Sequence, residues 1–204
     1  MLVVVVSTAG CSGGGSGSDG PIVAEASPAT VGGDVLSETG YERVSSTNET
    51  LNTSFTLSIQ GDVEAQPTFE VTATVHRAVY RRSLPEGRAT FAVLSAPTVK
   101  PSEALASRVD PFGDRTAAAL VANATGHAVS GLEHRENRTV TMLGNETTLR
   151  LFEGTVARDG EEAAATVAVA TVRDGTDEIT AAAVYPRSAD ERAAVERLLA
   201  GIEH

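Results

Sequence analysis

Four alternating segments in the second half of the chain constrain its fold more than anything else in the sequence. They run over 138–143, 147–158, 163–173 and 178–185, and their connections include Gly144-Asn145, Asp159-Gly160 and Asp174-Gly175. Alternation of apolar and polar residues is the period of a half-buried strand. Asp-Gly between two such runs predicts a hairpin whose two turn residues both take positive φ. Four strands joined by tight turns are antiparallel neighbours, so the fold is built on a sheet. Ala163–Val172 is nearly all Ala, Val and Thr on both parities. That pattern predicts a central strand covered on both faces.

The first half supplies more strands. In Tyr41–Ile59, Leu51, Phe55, Leu57 and Ile59 share one parity, and Asn48, Thr50, Asn52, Ser54, Thr56 and Ser58 share the other. Phe69–Tyr80 alternates again, and a break at Gly61-Asp62 makes these two strands antiparallel neighbours. Pro85-Glu86-Gly87 is a turn leading to a third strand, Ala89–Leu94. Val31–Thr39 predicts a short helix or turn closing at Gly40. Asp114 is placed to cap a helix whose buried face is Ala117, Leu120, Val121 and Ala124. Ser188 and Glu191 have the spacing of a capping box before a final helix with Val195, Leu198, Leu199 and Ile202 on its apolar stripe. The order β-β-β-α-β-β-β-β-α predicts an α+β fold: an antiparallel β-sheet of about six to seven strands flanked by helices, with the C-terminal helix packed on it.

The opening residues concern location. An apolar run, Leu2–Val6, leads into Ser7-Thr8-Ala9-Gly10-Cys11 and then into a Gly/Ser stretch, 12–18. Small residues before a cysteine suit the active site of a lipoprotein signal peptidase, which leaves a lipid-bearing cysteine as the new N-terminus. Cys11 is the only cysteine, so it has no disulfide partner within the chain. The expected organisation is a lipoprotein-type signal peptide at 1–10, a lipidated Cys11 with a flexible tether at 11–33, and one domain at 34–204. No Arg or Lys precedes the apolar run, so either the true start lies upstream or the sequence is clipped. The formal net charge of -11, with Lys100 the single lysine, argues against nucleic acid as a partner. The same composition suits a high-salt environment, where ions screen repulsion among carboxylates.

A resemblance joins these observations. The lipobox and tether, Thr39-Gly40-Tyr41, Pro111-Phe112-Gly113-Asp114, Asn137–Gly144, Val184-Tyr185-Pro186 and Gly201-Ile202-Glu203-His204 together look like a haloarchaeal lipoprotein family of unknown function. The resemblance implies an archaeal ether-lipid anchor on Cys11 and a location on the outer face of the cell membrane. It implies no activity and no site residues.

The chemistry-bearing residues are sparse. Gly10-Cys11-Ser12-Gly13-Gly14 matches a nucleophile elbow only formally, because it straddles the cleavage site. His127 and His134, with Glu133 and Glu136, make a metal site conceivable but lack established ligand spacing, and no metal or cofactor is expected. The acidic turns 159–162 and 174–178 lack a calcium-loop pattern and read as solvated charge. Arg77, Arg81, Arg82 and Arg88 bracket a turn, where pairing with surface carboxylates is favoured over holding an anion. All five asparagines open an N-x-[ST] sequon: Asn48, Asn52, Asn123, Asn137 and Asn145. They are the candidate glycosylation sites, with Asn137 and Asn145 expected in turns. The expected function is a non-enzymatic binding or accessory module that meets an envelope protein or a small solute. The alternative is an extracytoplasmic hydrolase with a site gathered from residues such as His76, His134 and Asp110.

Overall fold

The computed structural model describes residues 21–56, 68–100, 116–158 and 161–204. In chain order the elements are β1 (Ile22–Glu25), β2 (Thr30–Val31), α1 (Gly33–Thr39), β3 (Glu42–Thr56), β4 (Thr68–Leu84) and β5 (Gly87–Pro97). These are followed by α2 (Ala117–Thr125), β6 (Val129–Met142), β7 (Asn145–Arg158), β8 (Glu161–Asp174), β9 (Asp177–Pro186), α3 (Arg192–Ala200) and β10 (Ile202–Glu203). The fold is mostly sheet. One eight-stranded sheet runs β1-β4-β5-β9-β8-β7-β6, with β3 on the other side of β4, and β2 pairs with β10 in a small second sheet.

The expected sheet was antiparallel, and the observed one is mixed. β4 is long enough to take two partners along one side: β5 lies antiparallel over His76–Leu84, and β1 lies parallel over Val71–Thr74. β1 holds that position because Ile22 and Ala24 pack against Val71, Ala73 and Val99. The flexible tether expected over 11–33 is contradicted over its described part. Its second half contains β1 and β2, and Ala26, Ala29 and Val31 are buried. The strand count is also higher than expected, through β1, β2 and β10, and β6 begins at Val129, well before the expected Arg138.

β8 lies between β7 and β9, and its middle, residues 165–170, is covered on both faces as the Ala/Val/Thr pattern predicts, while Ala163 and Ala164 at its start are exposed. Ala168 and Ala170 join Tyr80, Phe91, Ile179, Val195, Leu198 and Leu199 in one buried cluster. Ala165, Val167 and Val169 join Val75, Leu94, Val121 and Ala124 in another. The stripe of α3 therefore packs on the sheet, and each of its buried aliphatic side chains contributes about 1.5–3 kcal/mol. α2 lies against the opposite face. No helix among the described residues is long and apolar enough to cross a membrane.

Local details correct several expectations. Asp114 lies outside the described residues, and the cap of α2 is Thr116, whose hydroxyl accepts the Ala119 N–H at 3.2 Å. α3 begins at Arg192 with no side-chain cap, and Ile202 leaves the helix to pair with Val31. In the β8–β9 hairpin the turn residues are Gly175 and Thr176, and only Gly175 takes positive φ (58°). The expectation of two positive-φ residues is therefore wrong there. Glycine in the first central position gives the other hairpin turn that matches strand twist.

Candidate ligand cleft beneath the second helix

The register of four neighbouring strands builds a hollow beneath α2. Thr47 faces Arg77, Arg77 faces Leu94, and Leu94 faces Thr180, which makes one row across β3, β4, β5 and β9. Glu49 faces Val75 and Ala96 faces Glu178 in the next row. Side chains of one parity share a face, so these residues all look toward α2. With Leu51, Leu120, Ala122 and Asn123 they line a cleft of about 310 Å³.

The cleft has an apolar floor and charged flanks. Leu51, Val75, Leu94 and Ala96 form the floor, and Leu120 lines the cleft from α2. Glu49 and Glu178 stand three strand spacings apart, roughly 14 Å at ~4.8 Å per strand. The Arg77 guanidinium donates to the Asn123 carbonyl at 3.2 Å, in the last turn of α2. A helix C-terminus is the end that favours a cation. One of the five guanidinium donors is used there, and the planar fork has others for a carboxylate. This arrangement matches a small zwitterion with an apolar body.

Elsewhere, polar side chains fasten the fold. Tyr41 follows α1 directly, and its hydroxyl donates to Glu191 Oε2 at 3.0 Å; Arg82 Nη1 lies 3.0 Å from Glu191 Oε1. Glu191 is 4 % exposed, so it is a buried anchor between β3, β4 and α3 instead of half of a capping box. Burial, then the Glu191 carboxylate, pushes the Tyr41 hydroxyl far above its ordinary range. Burial also raises Tyr80, and it pushes Tyr185 up to about 12. At the C-terminus, His204 Nδ1 lies 2.9 Å from Asp174 Oδ2 and Nε2 lies 3.2 Å from Asp177 Oδ2. Asp177 also accepts the Ser27 N–H at 2.7 Å. It is buried, so the reading of this turn as solvated charge is corrected at that residue.

The two histidines named for a hydrolase do not come together. His76 is on β4 and His134 on β6, five strand spacings apart, about 24 Å. Asp110 lies outside the described residues. His134 contacts Asn137 (2.8 Å) and the edge of Phe152, while His127 meets Thr90 at 3.1 Å. Among the described residues no group of three or more His, Cys, Asp or Glu is placed to hold a metal. Of the four arginines, Arg77 lines the cleft and Arg82 serves Glu191. Arg81 and Arg88 line a separate open hollow with Gly40, Glu42 and Ser83. All five sequon asparagines are exposed; Asn137 lies inside β6 and Asn145 opens β7, where both were expected in turns. Cys11 lies outside the described residues.

A family of proteins sharing a domain of unknown function, DUF6517, matches residues 28–203. The chain belongs to the DUF6517 family. The match spans β2 through β10, and thus all four strands and the helix that form the cleft. No curated protein matches the chain.

Proposed function

We propose that this DUF6517 protein is a haloarchaeal cell-surface lipoprotein whose domain binds a small zwitterionic solute with an apolar body. It is exported, held on the outer face of the membrane by a lipid on Cys11, and non-enzymatic. The observation that carries the binding role is the cleft beneath α2. Arg77 is placed to receive a carboxylate, Glu49 to receive an ammonium, and Leu51, Val75 and Leu94 to receive the apolar body. Its volume of about 310 Å³ is at the small end of ligand pockets, which suits an amino acid or a dipeptide.

Calorimetric titration of the mature protein with leucine and with leucyl-leucine, in molar salt, tests the ligand class. Saturable one-to-one binding is expected, lost in Arg77→Ala and weakened in Glu49→Gln. Absence of heat with both probes, or binding that survives Arg77→Ala, refutes it. The anchor has a separate test: Cys11→Ser should release the protein from the membrane fraction or leave an unprocessed precursor. A wild-type N-terminus upstream of an unmodified Cys11 thiol would refute that half of the proposal.

A further inference from the structure

Three strands of the main sheet have a single neighbour: the short β1, and the two long outer strands β3 and β6. Open strand edges invite pairing with another chain, and proteins blunt them with charges and bulges. β6 is blunted in both ways. Its register shifts between Ser130 and Glu133 and again between His134 and Glu136. It also carries Glu133, Arg135, Glu136 and Arg138.

β3 has neither protection over most of its length. From Ser45 to Thr56 its pairing with β4 is regular, the sole charge is Glu49, and no Pro or Gly interrupts it. A long, regular, nearly uncharged edge rich in threonine is a template for aggregation. On this stretch lie two of the five sequons, Asn48 and Asn52, both exposed. Four residues apart, they share one face of the strand, roughly 13 Å from each other at ~3.3 Å per residue. The Thr72 hydroxyl donates to Asn52 Oδ1 at 2.9 Å, which engages the amide oxygen on the sheet and leaves the nitrogen as the reacting group.

We propose that Asn48 and Asn52 carry N-linked glycans that shield the β3 edge from pairing with other chains, supplying by modification what bulges and charges supply on β6. The inference rests on the reading of the chain as exported. In the modification, asparagine Nδ2 forms a bond to the anomeric carbon of a sugar carried on a polyprenyl-phosphate donor. The sugar–phosphate bond breaks, the lipid phosphate leaves with the electron pair, and Nδ2 gives up a proton to solvent.

The test is mass spectrometry of peptides from the full-length protein purified from native membrane and soluble fractions, with size-exclusion chromatography of sequon variants. Sugar adducts are expected on both asparagines of the membrane-anchored protein. The double variant Asn48→Gln/Asn52→Gln should migrate two glycan steps faster and elute as oligomers. Thr50→Ala/Ser54→Ala keeps both asparagines while removing both sequons, and should behave the same way. Thr50→Ser keeps its sequon and should stay glycosylated and monomeric, which separates loss of sugar from damage to the strand. Unmodified Asn48 and Asn52 in membrane-anchored protein would overturn the glycan proposal and leave the anchor standing. Unmodified protein in the cytosol with its start uncleaved would overturn the export reading as well. Glycosylated wild type alongside monomeric double variants would overturn the shielding role.

Discussion

Replacing Glu191 separates two accounts of how α3 is joined to the fold. In a capping box, Ser188 and Glu191 would share the work, and Ser188→Ala would cost about 0.5–2 kcal/mol. In the structure Ser188 is exposed, and Glu191 is buried between Tyr41 and Arg82. Glu191→Ala strips the acceptor from a hydroxyl whose residue is 2 % exposed, a loss of about 1–3 kcal/mol. Arg82 has 37 % of its side chain exposed and turns to water, so its lost pair adds at most about 1 kcal/mol. The total, about 1–4 kcal/mol, corresponds to roughly 2–16 °C in Tm at about 2–4 °C per kcal/mol. Glu191→Gln keeps the shape. Its amide oxygen accepts from Arg82 while its NH₂ donates to a reoriented Tyr41 hydroxyl, so a cost of about 1 kcal/mol is expected. Ser188→Ala should change stability by less than about 0.5 kcal/mol. Denaturant titration of the three variants in one high-salt buffer measures all of this. A Ser188→Ala loss equal to that of Glu191→Ala would refute the buried-anchor account.

Leu198→Ala removes a fully buried side chain from the cluster shared by α3 and the sheet, and should cost about 2–5 kcal/mol. A loss below about 1 kcal/mol would place that stripe outside the core. At Gly154 an added Cβ would lie 2.6 Å from the Ser130 carbonyl oxygen and 2.8 Å from Leu132 Cδ2. Gly154→Ala should therefore displace the first bulge of β6 at a cost of about 1–3 kcal/mol, read as faster amide exchange over Val129–Glu133; unchanged exchange would refute it. All three tyrosines are buried, and their folded pKa values lie above the ordinary value of 10.0. Stability from burying them is therefore fully present below about pH 10 and falls as pH rises beyond it. Tyrosinate absorbance should appear together with unfolding, and tyrosinate forming near pH 10 in an intact fold would refute this.

The strands that could be read from sequence are those whose burial demands alternation. β8 is an equally readable exception, because coverage on both faces leaves an unbroken Ala/Val/Thr run, and β9 follows a recognisable turn. The first half of β6 could not be read, because two bulges break the period of two and an outer strand exposes most of its residues. β1 was missed for another reason. Pro21, Pro28, Gly32 and Gly33 give the segment the composition of a linker, and its parallel pairing with Val71–Thr74 depends on a partner with no nearby turn to mark it. The Ser188/Glu191 spacing misled because the capping-box pattern records only distance along the chain, whereas Glu191 is held by residues far from it in sequence.

The same limit hid the cleft. Arg77, Glu49 and Glu178 are charges in three separate strands, Glu178 at the end of an acidic turn, and nothing local distinguishes them from the solvated charges nearby. They become neighbours through register: Thr47 opposite Arg77 fixes Glu49 opposite Val75, and Leu94 opposite Thr180 fixes Ala96 opposite Glu178. A slip of one residue in β3 would turn Glu49 to the other face and dissolve the arrangement. The start of β3 is tied from the far side of the sheet, ahead of a register shift between Arg43 and Ser45. Tyr41, just before β3, is tied through Glu191 to Arg82 on β4, and Leu198 and Leu199 of α3 hold the cluster beneath them. Removing the Glu191 anchor should therefore weaken ligand binding in a cleft that Glu191 never touches. The loss should appear as reduced affinity of the folded protein, and it should be smaller in Glu191→Gln than in Glu191→Ala. Unchanged affinity in both variants would mean that β3 is positioned by its pairing with β4 alone.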